Sequence, residues 1–349
     1  MERPSVLVGL VLAALATTVS GGAVAATSAP RAELTYTRVD QARHSVWVAR
    51  ADGSGAREIA APGYAGALAR GGRWLSYSGP NDRPGTPLAP LYVVDLLSGK
   101  SRRLGEAYPG AASWSPRGAQ LAFAGEHGLL LVDAASGKRR ELVRGEIFNP
   151  SFAPDGTAIV YDRRAGPKER LDIFVVRLAD RRIKPLTHDG RSTSPLWADG
   201  SIVYQRLRWP TGKSGFSISA VWLMRADGSG KRLLAKGHEN VARAWHGLQT
   251  VAASRDGKRL LACQAVEFHC TPVSVTIPAG REYPFPEIAA VRRATEISWA
   301  DDLSSDGTRV LVDVGPPDSD VDHRIYEVPF TGGRPRVLVQ DASEASWAH

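Results

Sequence analysis

Residues 111–143 read AASWSPRGAQLAFAGEHGLLLVDAASGKRRELV, four short apolar runs separated by turn chemistry. The first run ends at Trp114. Ser115, Pro116, Arg117 and Gly118 then turn the chain tightly, because Pro116 presets φ and Gly118 accepts positive φ. The second run covers 120–124 and the third 129–133, and Ser136-Gly137 leads into the fourth at 140–143. Strands this short cannot bury an apolar face alone, so the stretch needs copies of itself.

The copies are present. The second run recurs as Leu34-Thr35-Tyr36, Leu75-Ser76-Tyr77, Leu121-Ala122-Phe123, Ile159-Val160-Tyr161, Ile202-Val203-Tyr204, Leu260-Leu261-Ala262 and Val310-Leu311-Val312. The spacings are 41, 46, 38, 43, 58 and 50 residues. A Gly-bearing turn precedes most copies, as at Ala153-Pro154-Asp155-Gly156, Ser254-Arg255-Asp256-Gly257 and Ser304-Ser305-Asp306-Gly307. Arg-Ala-Asp-Gly-Ser-Gly follows the third run identically at 50–55 and 225–230.

A period in the forties with four strands per repeat predicts an all-β chain, a β-propeller of four-stranded blades. Helical solenoids share the period, but Gly-punctuated β-rich runs disfavour helices. The first unit opens at Glu33 without a first strand, and Ser343 to His349 looks like a first strand without a second, with Trp347 in the place of Trp114. Pairing the two segments closes the ring and makes seven blades. Six is the alternative count, because the sixth copy is the weakest.

The pattern W-S-P-[DR]-G-x-x-[LI]-[AV]-[FY] at 114–123, followed by a strand and [AS]-x-G-x-x-[KR]-x-L, resembles the WD40-like repeats of the TolB-type propellers. The resemblance covers roughly residues 32–349 and rests on turn and core positions. It implies an exported, six- or seven-bladed envelope protein or relative. The separate N-terminal α/β domain of TolB itself has no counterpart here, which points away from a Tol–Pal-type role.

Composition agrees with a soluble globular fold, with 43% hydrophobic and 23% charged residues. The net charge of +8 fits anionic surroundings such as cell-wall polymers, although a general basic surface produces the same total. The arginines are dispersed with no run of four, so no specific nucleic-acid partner is expected. Arg3, an apolar stretch at 6–16 and Ala23-Val24-Ala25 read as a cleaved export signal over 1–25. A linker at 26–32 and one propeller domain at 33–349 follow, with no transmembrane anchor and a monomer expected. The expected location is periplasmic, envelope or extracellular. In that oxidising setting Cys263 and Cys270, placed at the two ends of a hairpin loop, are expected to be bridged. Free thiols, or a metal pair with His269, are the alternatives.

Strand alternation puts the short Gly turns on one face and the long connections on the other, among them 79–90, 163–170, 205–219, 236–248, 286–296 and 315–323. The long-loop face is the candidate binding surface. In QRLRWPTGKSGFSIS (205–219), Arg206, Arg208 and Lys213 interleave with Trp209 and Phe216, a combination able to stack on a sugar or base and pair an anion. Trp209 serving only to pin the loop weighs equally. Gly212-Lys213-Ser214 is not a phosphate loop, because Leu207 stands where that loop needs Gly. Arg163, Arg164, Lys168 and Arg170 add charge, or are merely solvated at a hairpin tip.

Cofactor expectations are slight. Asp318, Asp320 and Asp322 alternate like the opening of a calcium loop, but His323 replaces the required Gly and Pro329 the closing Glu. Some TolB-like propellers are metal-dependent lyases for acidic sugars with His ligands on this face. Histidines 44, 188, 238, 246, 269 and 323 show no metal spacing here. No G-x-S-x-G elbow occurs. The expectation is a non-enzymatic exported scaffold binding a protein or an anionic envelope polymer, with a metal-dependent lyase of acidic glycans as the alternative.

Overall fold

The computed structural model describes residues 31–40, 43–81, 83, 85–164, 170–208, 218–236, 246–266, 269–292, 296–317, 319 and 321–349. The predicted leader (1–25) and most of the linker lie outside these, as do Lys168, Trp209, Lys213, Phe216, Asp318 and Asp320.

Strands β1 (Leu34–Asp40), β2 (Arg43–Ala49) and β3 (Arg57–Ala60) form the first meander. The next contains β4 (Tyr64–Leu68), β5 (Trp74–Ser78), β6 (Ala89–Asp95) and the first half of the 14-residue β7 (Ser101–Trp114). The second half of β7 opens the following one, with β8 (Gln120–Gly125), β9 (Gly128–Asp133) and β10 (Arg139–Arg144). Then come β11 (Ile147–Phe152), β12 (Ala158–Arg164), β13 (Leu171–Arg177) and β14 (Ile183–Pro185). These are followed by β15 (Ser192–Ala198), β16 (Ser201–Arg208), β17 (Ile218–Arg225) and β18 (Arg232–Ala235). After them stand β19 (His246–Ala253), β20 (Arg259–Val266), β21 (His269–Thr276) and β22 (Glu282–Pro284). A short helix α1 (Pro286–Val291) leads to β23 (Ile297–Leu303), β24 (Arg309–Gly315), β25 (Arg324–Pro329) and β26 (Arg336–Gln340). The last strand is β27 (Ala342–Trp347).

Pairing runs in antiparallel groups of four. β27 adds to β1 to give the order β27-β1-β2-β3, with Trp347 opposite Leu34. Two groups merge through β7, whose first half pairs β6 and whose second half pairs β8. Another two merge through a short parallel contact of β17 with β19, Ile218 opposite His246 and Ser219 opposite Gly247.

Burial explains the sequence pattern. In β8, Leu121, Ala122, Phe123 and Ala124 are all fully buried, because neighbouring sheets cover both faces of a second strand. Ala124 and Leu129 pack with Ile147, Ile159 and Tyr161 of the next group, so the core lies between sheets. The fourth strands are edges, and β14 is exposed throughout. Their charged residues, such as Arg139, Arg140 and Glu141 of β10, discourage pairing with another chain.

Identical sequence makes identical turns. In Arg50–Gly55 the Gly53 N–H donates to the Arg50 carbonyl at 2.9 Å and Ser54 N–H to Asp52 Oδ1 at 2.9 Å. In Arg225–Gly230 the equivalent bonds, Gly228 to Arg225 and Ser229 to Asp227, are also 2.9 Å. At the opening stretch, Gly118 has φ +70° and a Cβ there would stand 2.6 Å from the Arg70 carbonyl oxygen. That turn therefore requires glycine twice over, for conformation and for space.

Two local expectations are corrected. Cys263 and Cys270 are bonded, their Sγ atoms 2.12 Å apart, but they lie within β20 and β21 rather than at the ends of a loop. The strands run on past the apolar run, with Cys263 opposite Pro272 and Cys270 opposite Ala265. The insertion at 286–296 is not all loop. Pro286 begins α1, and its Ile288 is buried beside Phe285, Val328 and Phe330.

Candidate binding site

A row of cations lies along one rim, at or next to the ends of β12, β16 and β18 and the start of β15. Arg164 pairs Leu171, Leu171 makes a parallel bridge with Arg191, and the Leu207 N–H donates to the Arg191 carbonyl at 2.8 Å. At about 4.8 Å per strand, this row spans roughly 15 Å. Ser192 lies opposite Arg206, so Arg191 and Arg206 become neighbours although 15 residues separate them in the chain.

Arg206 is held rigidly. Its Nε donates to Asp189 Oδ2 at 2.8 Å, and its guanidinium carbon sits 4.7 Å from the Trp222 ring centroid. Asp189 also accepts from the Arg191 amide at 3.0 Å and the Ser192 hydroxyl at 2.9 Å. Burial pushes the Asp189 carboxyl up, but these donors outweigh it and hold the group below its usual range. A cleft of about 260 Å³ is lined by Arg191, Arg206, Arg208, Trp222, Leu233 and Lys236, with no acidic residue among its lining. Among the described residues, Arg191, Arg208 and Lys236 form no ion pair. Farther along the rim, Arg164 pairs Glu146 at 3.1 Å and Arg163 lies 6.0 Å from the Phe174 ring centroid.

The structure thus brings Arg206 and Arg208 together as read from sequence and adds Arg191, Lys236, Trp222 and the organiser Asp189. The signal for Arg191 was the Asp189-Gly190 turn just ahead of an inner strand, which register alone converts into proximity.

The other expected sites behave differently. Asp322 is exposed, and the rest of the alternating Asp triplet lies outside the described residues. Among the described residues, no group of three His, Cys, Asp or Glu side chains is arranged to hold a metal ion. His44 packs against Tyr64, ring centroids 4.6 Å apart. His323 is buried with both ring nitrogens at acceptors: Nδ1 is 2.8 Å from Asp313 Oδ1, and Nε2 is 2.7 Å from the Ser319 carbonyl oxygen. Its ring stacks on Trp299 at 5.3 Å.

Acceptors at both ring nitrogens favour the protonated form of His323. Burial lowers its pKa, but the Asp313 hydrogen bond and charge, with the Ser319 and Pro316 carbonyls, raise it above the ordinary 6.5. The stabilisation is therefore full below about pH 6.5 and lost as pH rises through the raised folded pKa. The melting-temperature advantage of wild type over His323→Gln is expected to shrink between pH 6 and 9; an advantage that grows with pH contradicts this. Nearby, burial together with Asp313, Glu344 and Asp302 pushes the Asp301 carboxyl well above the carboxylate range. Asp301 and Glu344 line a cavity of about 720 Å³ with Tyr64 and Tyr108.

No protein-family model matches the chain, and no curated protein does. Solved structures match widely. The β-propeller domain of the trilobed protease from Pyrococcus furiosus aligns with a TM-score of 0.61 at 13% identity, over 88% of this chain and 93% of that one. The fold is a β-propeller. The propeller fold that the repeat resemblance implied is therefore present. An oligogalacturonate lyase in complex with manganese aligns at a TM-score of 0.56 and 14% identity, over 89% of this chain and 86% of that one. TolB from Acinetobacter baumannii aligns at 0.49 and 14%, over 72% of this chain, which spans 62% of that protein's length. Among the described residues, no helix is long and apolar enough to cross a membrane.

Proposed function

We propose that this chain is an exported, seven-bladed propeller, its ring completed by β27 on β1, that works as a binding scaffold for an anionic envelope polymer. The observation that carries the reading is the cleft at Arg191, Arg206, Arg208 and Lys236, where three cations lack an ionic partner among the described residues. Unpaired cations converging on a cleft attract a polyanion over many ångströms and release its counterions on contact. In this reading a polymer chain lies along the cleft and runs toward Arg163 and Arg164 at the end of β12. The leader-like N-terminal segment and the bonded cysteine pair support export.

The test is retention on immobilised polygalacturonate and polyphosphate against neutral dextran. Wild type is expected to bind both polyanions and to elute with salt. The Arg191→Glu/Arg208→Glu/Lys236→Glu variant is expected to bind at least about tenfold more weakly, a loss of about 1.4 kcal/mol. Binding that ignores the triple reversal, or no binding at low salt, overturns the reading. Appearance of unsaturated uronate products on incubation would replace it with the lyase alternative.

A further inference from the structure

The long-loop rim leaves a second concavity unexplained, at the end of the lumen where the short Gly turns cluster. It measures about 420 Å³, within the range of small-ligand sites. Its wall draws on β4, β7, β11, β15, β19, β23 and β27 together. The cavity has room because the inner-strand position preceding a large residue is small in four blades, Ala67 before Leu68, Ser113 before Trp114, Ser151 before Phe152 and Ser346 before Trp347, and Ala252 and Ala253 are both small in another.

The lining combines two chemistries. Trp114 and Trp197 supply flat, half-buried rings. Each is positioned: the Trp114 indole N–H donates to the Ala67 carbonyl at 2.9 Å, and the Trp197 amide donates to Ser151 Oγ at 3.2 Å. Arg70 and Arg255 stand exposed in the same lining. Arg70 makes one long bond, Nη1 to the Pro116 carbonyl at 3.3 Å. The Arg255 side chain has no hydrogen bond to a described residue, while its backbone N–H anchors the turn to the Ser305 carbonyl at 3.0 Å.

Acids near this mouth are already engaged. Asp302, the one side-chain carboxylate in the lining, accepts from Trp347, Ser346 and His349. Asp256 and Asp306 accept from their own turns, through Ser254 and Lys258 and through Ser304 and Thr308. The charged side chains left to meet a ligand in the lining are therefore the two arginines, since Asp302 is paired with His349.

We propose that this end of the lumen is a binding site for a small organic anion. Its acid group is held by Arg70 and Arg255, and its compact body lies against Trp114 and Trp197. The site is on the opposite face from the polyanion cleft and does not depend on it.

Calorimetry and tryptophan fluorescence with benzoate, glucuronate and glucose 6-phosphate, each beside its uncharged counterpart benzamide or glucose, test the proposal and separate carboxylate from phosphate. At least one acid is expected to bind tenfold more tightly than its neutral counterpart. Arg70→Ala/Arg255→Ala, two exposed positions, is expected to abolish that preference without changing the melting temperature. The Arg191→Glu/Arg208→Glu/Lys236→Glu variant is expected to keep it. The proposal is overturned if no acid binds, if neutral and acid bind alike, or if the double variant binds as wild type does.

Discussion

Trp347→Ala is expected to destabilise the protein by about 3–5 kcal/mol, the range for deleting a buried aromatic side chain. Trp347 is 4% exposed and packs with Leu34, Tyr36, Leu311, Ile325 and Val339, so one ring joins β1 to the neighbouring blade. Arg309 covers it with its guanidinium carbon 5.1 Å from the ring centroid. Trp114→Ala is expected to cost less, since Trp114 occupies the equivalent strand position but is only half buried. Urea unfolding of both variants measures the difference. A cost below about 1 kcal/mol for Trp347→Ala would falsify the account of β27 as the strand that joins the first blade to its neighbour.

The second large effect concerns one carboxylate. Asp302 is 5% exposed. Its Oδ2 accepts from the Trp347 amide at 2.8 Å, from the Ser346 hydroxyl at 2.9 Å and from His349 Nε2 at 2.9 Å, while Oδ1 takes the Leu303 amide at 2.8 Å. Asp302→Ala is expected to cost about 3–5 kcal/mol, because several donors lose a charged acceptor at once. Asp302→Asn is expected to fall close behind, since its amide would turn an N–H toward N–H donors. Ser113 and Ser151 hold the same strand position and accept a single amide each, from Phe152 at 3.3 Å and Trp197 at 3.2 Å. Their alanine variants are expected to cost about 1 kcal/mol. In a double-mutant cycle, Asp302→Ala and Trp347→Ala are expected to add to less than their sum, because both release the same strand. Strict additivity, or equal costs at all three positions, would contradict the stitch.

That stitch explains part of what the repeat pattern concealed. The position reads Ser, Ser, Asp and Ser at 113, 151, 302 and 346, ordinary polar residues in a strand. Only the neighbouring blade shows Ser113, Ser151 and Asp302 to be acceptors for its backbone, whereas the Ser346 hydroxyl donates to Asp302. The same holds for Thr37 and Asp162, each just after the repeated apolar triplet of a second strand. Thr37 Oγ1 accepts the Ala65 amide at 2.8 Å and donates to Glu344 at 2.9 Å. Asp162 takes Asn149 at 3.1 Å, the Ser194 amide at 3.3 Å and the Thr193 hydroxyl. Burial pushes the Asp162 carboxyl up, and these bonds oppose the shift.

Strand and turn positions, their grouping in fours and the pairing of the last strand with the first were legible in residues 33–349. Their causes are local and repeated: short apolar runs, Pro and Gly at set turn positions, and identical Arg-Ala-Asp-Gly-Ser-Gly segments that fold identically. Convergence across blades was not legible. Arg191 meets Arg206, Arg208 and Lys236 because Leu171 bridges Arg191 and β16 runs in one register rather than another. Asp302 holds the closing strand while Asp306, four residues on, caps only its own turn. His323, read as a misfit in a calcium loop, is a buried ring between Asp313 and two carbonyls, contacts that favour its protonated form. A side chain's partners on another blade depend on register and packing summed over tens of residues, and no spacing within one repeat encodes them.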